Sequence, residues 1–347
     1  MATHAVAQVA KLFETDVLTT PYWPGRGLPL FVQPAHEGLR SDLGATVDWF
    51  EEQRPAIDAL LLEHGALVLR GFPIEDTAAF SRVIAGYDSP DFGYLAGASP
   101  RAKLADRVFE ATSAPAEAVL GMHQEMAYLP HYPARIAFYC RMPSVTGGET
   151  YLADMRAVTA RIDPAFAVEL AGRGVRYVRN FRAPGVSTGH PVLDAFHKTW
   201  TDAFSTQDAD RAVADCRAMG LEAEWLGDGS LAVTYVGPAF IDHPATGERL
   251  WFNQIATQTL SPENTGDRFA LYETHYGATR ARPYATTYGD GGPIPTQFVS
   301  ALYPILAEAT VAFPWSHGDL LLIDNFRVAH GRNAYTGRRD VQVALLN

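Results

Sequence analysis

His123-Gln124-Glu125 sets an imidazole and a carboxylate two residues apart. On an extended segment such side chains point to the same side of the backbone. A third ligand from elsewhere would complete a two-histidine, one-carboxylate face, the donor set of non-haem Fe(II) oxygenases. The same donors also suit catalytic zinc. His330, in the run Asp324-Asn325-Phe326-Arg327-Val328-Ala329-His330-Gly331-Arg332, is the candidate third ligand. Each residue also has a plainer reading. His123 and Glu125 could be a surface pair on an exposed strand, and His330 a histidine satisfied at a strand end. Met122 and Met126 flank the triplet, however, and a carboxylate in apolar surroundings is costly to bury unpaired. Metal ligation would relieve that cost.

Arg339 discriminates between these readings. In Arg338-Arg339-Asp340-Val341-Gln342-Val343, it shares strand parity with Val341 and Val343, whereas Arg338, Asp340 and Gln342 lie on the other face. If the valines face the core, Arg339 does too, and an inward guanidinium needs an anion that fits its forked donors. A protein acid could serve. The carboxylate of a small ligand fits better beside a metal face, and Thr150, on a neighbouring predicted strand, could donate a second hydrogen bond. A molecule that chelates iron at one end and needs a carboxylate anchor at the other is 2-oxoglutarate.

The elements that must position these residues are mostly short strands. The spacing predicts one helix within 45–63, stopped by Gly65, then a buried strand over Ala66–Phe72 and a helix over 76–86. Strand-like runs follow at 108–112, 120–126, 135–141 and 149–153. Asp154 and Asp163-Pro164 start two helices. Strands resume at 174–181, 231–236 and 249–253, helices at 208–219, 267–277 and 297–309, and the chain ends in strands at 319–324 and 340–346. Residues 1–42 read as an irregular arm with one short strand at Leu30-Phe31-Val32, and 183–230 as an insertion. The segments 87–106 and 183–206 are candidate lids. Many short strands with few βαβ units exclude a doubly wound sheet. The expected fold is a single domain, 1–347, built as a double-stranded β-helix (a jelly-roll barrel) with outer helices.

At 347 residues the chain is large enough to enclose a cavity. Net charge is −11 and no Lys/Arg-rich run occurs, which argues against nucleic acid or an anionic membrane as partner. No apolar stretch approaches a membrane span, and no signal peptide is evident. Two cysteines without a Cys-x-x-Cys pair fit the cytoplasm.

With these residues in view, the sequence resembles the taurine dioxygenase (TauD/TfdA) family, in particular its clavaminate synthase-like members. The resemblance rests on Leu69-Arg70-Gly71-Phe72, His123-Gln124-Glu125, Phe138-Tyr139-Cys140, Gly147-Gly148-Glu149-Thr150 and Trp251-Phe252-Asn253-Gln254. It is strongest from Gly318-Asp319 through His330-Gly331-Arg332 to Gly337-Arg338-Arg339, and covers most of 45–346. It implies that His123, Glu125 and His330 are iron ligands and that Thr150 and Arg339 bind the distal 2-oxoglutarate carboxylate. Glu125 fits the clavaminate-like branch, where the taurine-like branch usually has aspartate. Gln342 departs from the pattern, since relatives often carry arginine or leucine there.

The expected activity is therefore an Fe(II)- and 2-oxoglutarate-dependent dioxygenase. It would use O2 to hydroxylate an unactivated C–H bond of a small molecule, an amino acid or a derivative of one, free or carrier-bound. Desaturation, epoxidation or cyclisation would use the same chemistry. A zinc hydrolase and a non-catalytic metabolite-binding barrel are the rivals; the first gives no reason for an inward Arg339 or for Thr150, and the second would be favoured by loss of one of the three ligands, none of which is lost. Arg327, Arg332, Asn180 and Asn253 are candidate substrate contacts, although ion pairing of the arginines with Asp324 or Asp319 is an equal prospect. His131, His243 and His317 read as turn or surface residues.

Overall fold

The strand Leu320–Asp324 is apolar almost throughout, and a strand buried on both faces needs partners on both edges. It finds them in Ala66–Leu69 and Arg135–Met142, both antiparallel to it. Asp340–Leu346 pairs on the far side of Arg135–Met142. The computed structural model describes residues 15–97, 102–112, 114–277 and 281–347. Within them these four strands form the centre of an eight-stranded sheet, flanked by Leu30–Pro34 and Val17–Pro21 on one side and by Val108–Glu110 and Lys103–Ala105 on the other.

A four-stranded sheet lies over one face of the large sheet, in the order Thr310–Phe313, Thr150–Asp154, Val328–Arg332, Leu120–His123. Period-two alternation divides the large sheet's side chains between two cores. Val68, Ile136, Phe138, Leu321, Val341 and Val343 pack toward the small sheet, against Leu152, Val311, Phe313 and Val328. Their neighbours Leu67, Leu69, Ala137, Tyr139, Leu320 and Leu322 pack outward beneath the helices Leu43–Glu52, Arg54–His64 and Thr77–Val83. A third sheet, Glu222–Trp225, Leu231–Gly237, Val175–Phe181, Tyr284–Tyr288, carries further walls of the molecule.

Several expectations need correction. The helix expected within 45–63 is two, because the chain breaks at Gln53 and restarts with Pro55 in the first turn, where its missing N–H costs nothing. Gly65 ends the second in the left-handed region, φ 77°. Of the arm 1–42, residues 1–14 lie outside the described set, and the remainder is not irregular. Val17–Pro21 pairs antiparallel with Leu30–Pro34, which runs parallel to Ala66–Leu69. The segment 183–230 is packed rather than loose. It contains the helices Pro191–Phe196, Trp200–Phe204 and Ala209–Ala218, and its Trp200, Phe204 and Cys216 share a core with Met126 and Met155. The other candidate lid, 87–106, lies partly outside the described residues; Phe92, Tyr94 and Leu95 pack against that same core. The strands Val328–Arg332 and Tyr284–Tyr288 had no clear sequence signal.

An ion pair ties the large sheet to the turn before its central strand. Arg70 Nε and Nη2 reach the two carboxylate oxygens of Asp319 at 2.8 and 2.6 Å, and Asp319 is fully buried. Removing the arginine would strand a buried carboxylate. Arg70→Leu is expected to cost about 3 kcal/mol in urea unfolding, and Asp319→Asn in the same chain to recover part of it. An unchanged midpoint for Arg70→Leu would show that the pair carries no such weight.

Candidate metal centre and cavity

His330 stands directly opposite His123 across an antiparallel strand pair. On its other side it faces Leu152, and two residues on, Arg332 faces Thr150. Strand alternation therefore puts His123, His330, Thr150 and Arg332 on one face of the small sheet. The two imidazole centroids are 4.4 Å apart. Gly331 lets the strands come this close: a Cβ there would lie 2.3 Å from the Tyr151 ring and 2.6 Å from the Leu120 carbonyl oxygen.

Glu125 lies just past the end of its strand, 4% exposed, with its Oε2 3.7 Å from His330 Nε2. Side chains from distant segments fix its backbone. Fully buried Asn325 accepts from the Glu125 N–H at 2.7 Å and donates to the Glu125 carbonyl at 3.0 Å. Gln124 donates to the Trp251 and Phe326 carbonyls at 3.0 and 2.9 Å. Met126 then turns the chain at φ 60°, a conformation uncommon outside glycine and concentrated at functional sites.

Ligand atoms of His123, Glu125 and His330 all lie within 4.8 Å of one another. His123 Nδ1 is 2.8 Å from the Gly121 carbonyl, which only accepts, so Nδ1 carries the proton and Nε2 keeps its lone pair. His330 Nδ1 is buried without a hydrogen-bond partner. One carboxylate, one imidazole with its lone pair oriented by a carbonyl, and a second imidazole turned toward that carboxylate fit a divalent metal with open positions.

The histidines line a cavity of about 380 Å³ that also includes Thr150, Arg332 and Arg339. Thr150 Oγ1 accepts from the Trp315 indole at 3.2 Å. Indole N–H only donates, so the hydroxyl proton of Thr150 remains available to an anion. Arg339 Nε donates to the Gly148 carbonyl at 3.1 Å, and burial, with Arg332 close by, lowers its pKa to about 10. Gly148, at φ 72°, is tightly enclosed there: a Cβ would meet Ser144 Oγ at 2.5 Å and Arg339 Cδ at 3.2 Å. Arg338, on the opposite strand face, is exposed.

Of the candidate substrate contacts, Arg332 and Asn180 line the cavity. Arg332 Nη1 and Nη2 donate to the carbonyls of Ala114, Pro115 and Ala118, while its Nε is buried without a hydrogen-bond partner among the described residues. Asn180 Nδ2 donates to the Arg282 carbonyl at 2.6 Å. Arg327 and Asn253 do not reach the cavity. Arg327 turns to the carbonyls of Leu62 and Glu63, at the C-terminal end of an outer helix that attracts cations, and pairs with Asp154 rather than Asp324 or Asp319. Asn253 bridges the Ala239 carbonyl and the Ile255 N–H. His131 is exposed and His317 half-exposed, whereas His243, although in its expected hairpin, is buried against Asp324 at 2.8 Å. Sequence reasoning missed Asn325, Trp315, Arg179 and Lys198; the last two also line the cavity.

The sequence profile described as "Taurine catabolism dioxygenase TauD, TfdA family" matches residues 26–345. The dapdiamide synthesis protein DdaC of Enterobacter agglomerans is 32% identical over 321 residues, covering 92% of this chain and 93% of that protein. A clavaminate synthase-like protein of Arabidopsis thaliana is 30% identical over 343 residues, covering 96% and 98%. Among solved structures, a taurine dioxygenase from Burkholderia xenovorans has a similar fold, with TM-score 0.50 and 14% identity over 95% of this chain and 89% of that one.

Asn325 supports the metal face only through the backbone of Glu125. Asn325→Ala should therefore weaken Mn(II) binding by about 10- to 100-fold in calorimetric titration, with the circular-dichroism spectrum retained. Unchanged affinity would contradict this role.

Proposed function

The chain belongs to the taurine catabolism dioxygenase TauD, TfdA family, and we propose that its cavity hydroxylates an unactivated C–H bond of an amino acid or amino-acid derivative, free or carrier-bound. The enzyme is an Fe(II)- and 2-oxoglutarate-dependent dioxygenase. When bound, ferrous iron and the keto acid supply the oxidising chemistry: O2 and 2-oxoglutarate become succinate, carbon dioxide and one oxygen atom inserted into the substrate. The protein's residues bind, orient and exclude water.

In this reading His123 Nε2, Glu125 and His330 hold the metal on one face and leave the opposite positions to the keto acid and O2. Thr150 and Arg339 hold the distal carboxylate, the arginine by its fork and the threonine by its free hydroxyl proton. The single observation that carries the reading is the convergence of the three ligands with a cavity-lining, half-buried guanidinium that has no acid partner among the described residues. A zinc hydrolase would leave that guanidinium unexplained. The two facing sheets support a double-stranded β-helix acting as one domain. Cys140 and Cys216, both free and buried, support work in the cytoplasm, and among the described residues no helix is long and apolar enough to cross a membrane. The amino-acid substrate rests on the likeness to a dapdiamide synthesis protein.

Two measurements test this. Iron-loaded protein should release succinate from 2-oxoglutarate when offered some member of a panel of free and carrier-tethered amino acids; hydrolysis with zinc and no succinate would sink the oxygenase. Arg339→Ala should weaken 2-oxoglutarate binding by about 10- to 100-fold, and Thr150→Val by about fivefold, with Mn(II) affinity unchanged. Parallel loss of metal and keto acid would remove Arg339 from its assigned place.

A further inference from the structure

Five cationic side chains, Arg179, Lys198, Arg268, Arg332 and Arg339, line the cavity, and no carboxylate does among the described residues. Arg332 lies close to Arg339 and donates to three backbone carbonyls, and Arg339 with Thr150 answers the co-substrate. Of the other three, Lys198 donates to the Gly97 carbonyl at 3.1 Å, Arg268 is half-buried, and the most enclosed is Arg179. It shares strand parity with Val175, Tyr177 and Phe181, so its side chain is inward, 7% exposed. Its guanidinium lies 4.6 Å from the Tyr128 ring centroid and 4.8 Å from that of Phe181, and it donates to the carbonyls of Ala96 and Gly97. Those carbonyls orient the fork without neutralising it, and a buried cation with no counter-anion among the described residues is costly. Its neighbour His197 adds no charge: burial lowers its pKa to about 4, and it hydrogen-bonds Tyr276 and the Asn180 carbonyl. Arg268, from another wall, is half-buried over the Phe196 ring at 4.3 Å. Gln258 Oε1, buried in the same lining without a hydrogen-bond partner, offers an acceptor to an N–H of the same ligand.

We propose that Arg179, with Arg268 as second cation, is a subsite for a carboxylate on the substrate, distinct from the anchor at Arg339 and Thr150. A planar fork held between aromatic rings matches a carboxylate edge-on, and the bound acid supplies the charge the wall lacks. The proposal rests on the oxygenase reading in one respect: 2-oxoglutarate takes the Arg339 end.

The test is equilibrium binding, without turnover, of a panel of L-amino acids and their C-terminal carboxamides to the Mn(II)- and 2-oxoglutarate-loaded protein. At least one acid should bind, with its carboxamide about tenfold or more weaker. Arg179→Gln should erase that preference while 2-oxoglutarate affinity stays within about twofold, since the lost bond is to substrate alone. Arg268→Gln should cut the preference by at least about threefold, and it serves as the test if Arg179→Gln does not fold. Equal binding of acid and carboxamide, a preference that survives the substitution, or a panel in which no acid binds would overturn the subsite. Failure of 2-oxoglutarate itself to bind the wild-type protein, measured before the panel is added, would strike the oxygenase reading instead.

Discussion

The antiparallel register that sets His330 opposite His123 is the constraint from which the rest of the site follows. A one-residue slip would turn His330 to the other face of its strand and put Gly331 in its place. The register is held from both sides, by Leu120–His123 on one edge and Thr150–Asp154 on the other, and Gly331 makes the close approach sterically possible. Once it is set, Thr150 and Arg332 fall on the same face without further arrangement. Glu125 is the exception. It lies beyond the strand, so regular pairing cannot place it, and the chain uses Asn325 and Gln124 to clamp its backbone from two other segments.

Positive charge dominates the cavity. Among the described residues its lining has five cations and no acid, which is unfavourable when dry and becomes favourable only as anions enter. In the proposed function the keto acid, with Glu125 at the metal, would answer part of that charge. What remains includes Arg179 on Val175–Phe181, Lys198 in the inserted segment after it and Arg268 on another wall, all far in sequence from the ligand triplet. On the proposed reading the metal ligands and the keto-acid anchor would come from the two facing sheets and substrate recognition from the elements added around them, which is how one scaffold serves many substrates.

Much of this was legible in the sequence where side-chain parity carries the information. Arg339 was predicted inward from Val341 and Val343, and it lines the cavity. The same argument applied to Val175, Tyr177 and Phe181 flags Arg179, and only the absence of a neighbouring metal motif hid it. Asn325 and Trp315 were not legible, because their partners are about 200 and 165 residues away and nothing local marks a side chain that hydrogen-bonds so distantly. Arg327 and Asn253 misled because polar residues beside a motif looked like pocket groups, yet Arg327 turns to the distant carbonyls of Leu62 and Glu63 and Asn253 satisfies local backbone. The strand Val328–Arg332 was hidden by its own function, since histidine, glycine and arginine carry little strand propensity and tertiary pairing overrides it.

In the proposed function three side chains hold one divalent ion while a separate guanidinium, with Thr150, holds the far end of the co-substrate. The most direct measurement is a crystal structure of the protein soaked anaerobically with Mn(II) and N-oxalylglycine, an unreactive 2-oxoglutarate analogue. The account predicts a single ion bound by His123 Nε2, Glu125 and His330, with the distal carboxylate on Arg339 and Thr150. An ion bound elsewhere, or a distal carboxylate that leaves Arg339 untouched, would contradict it.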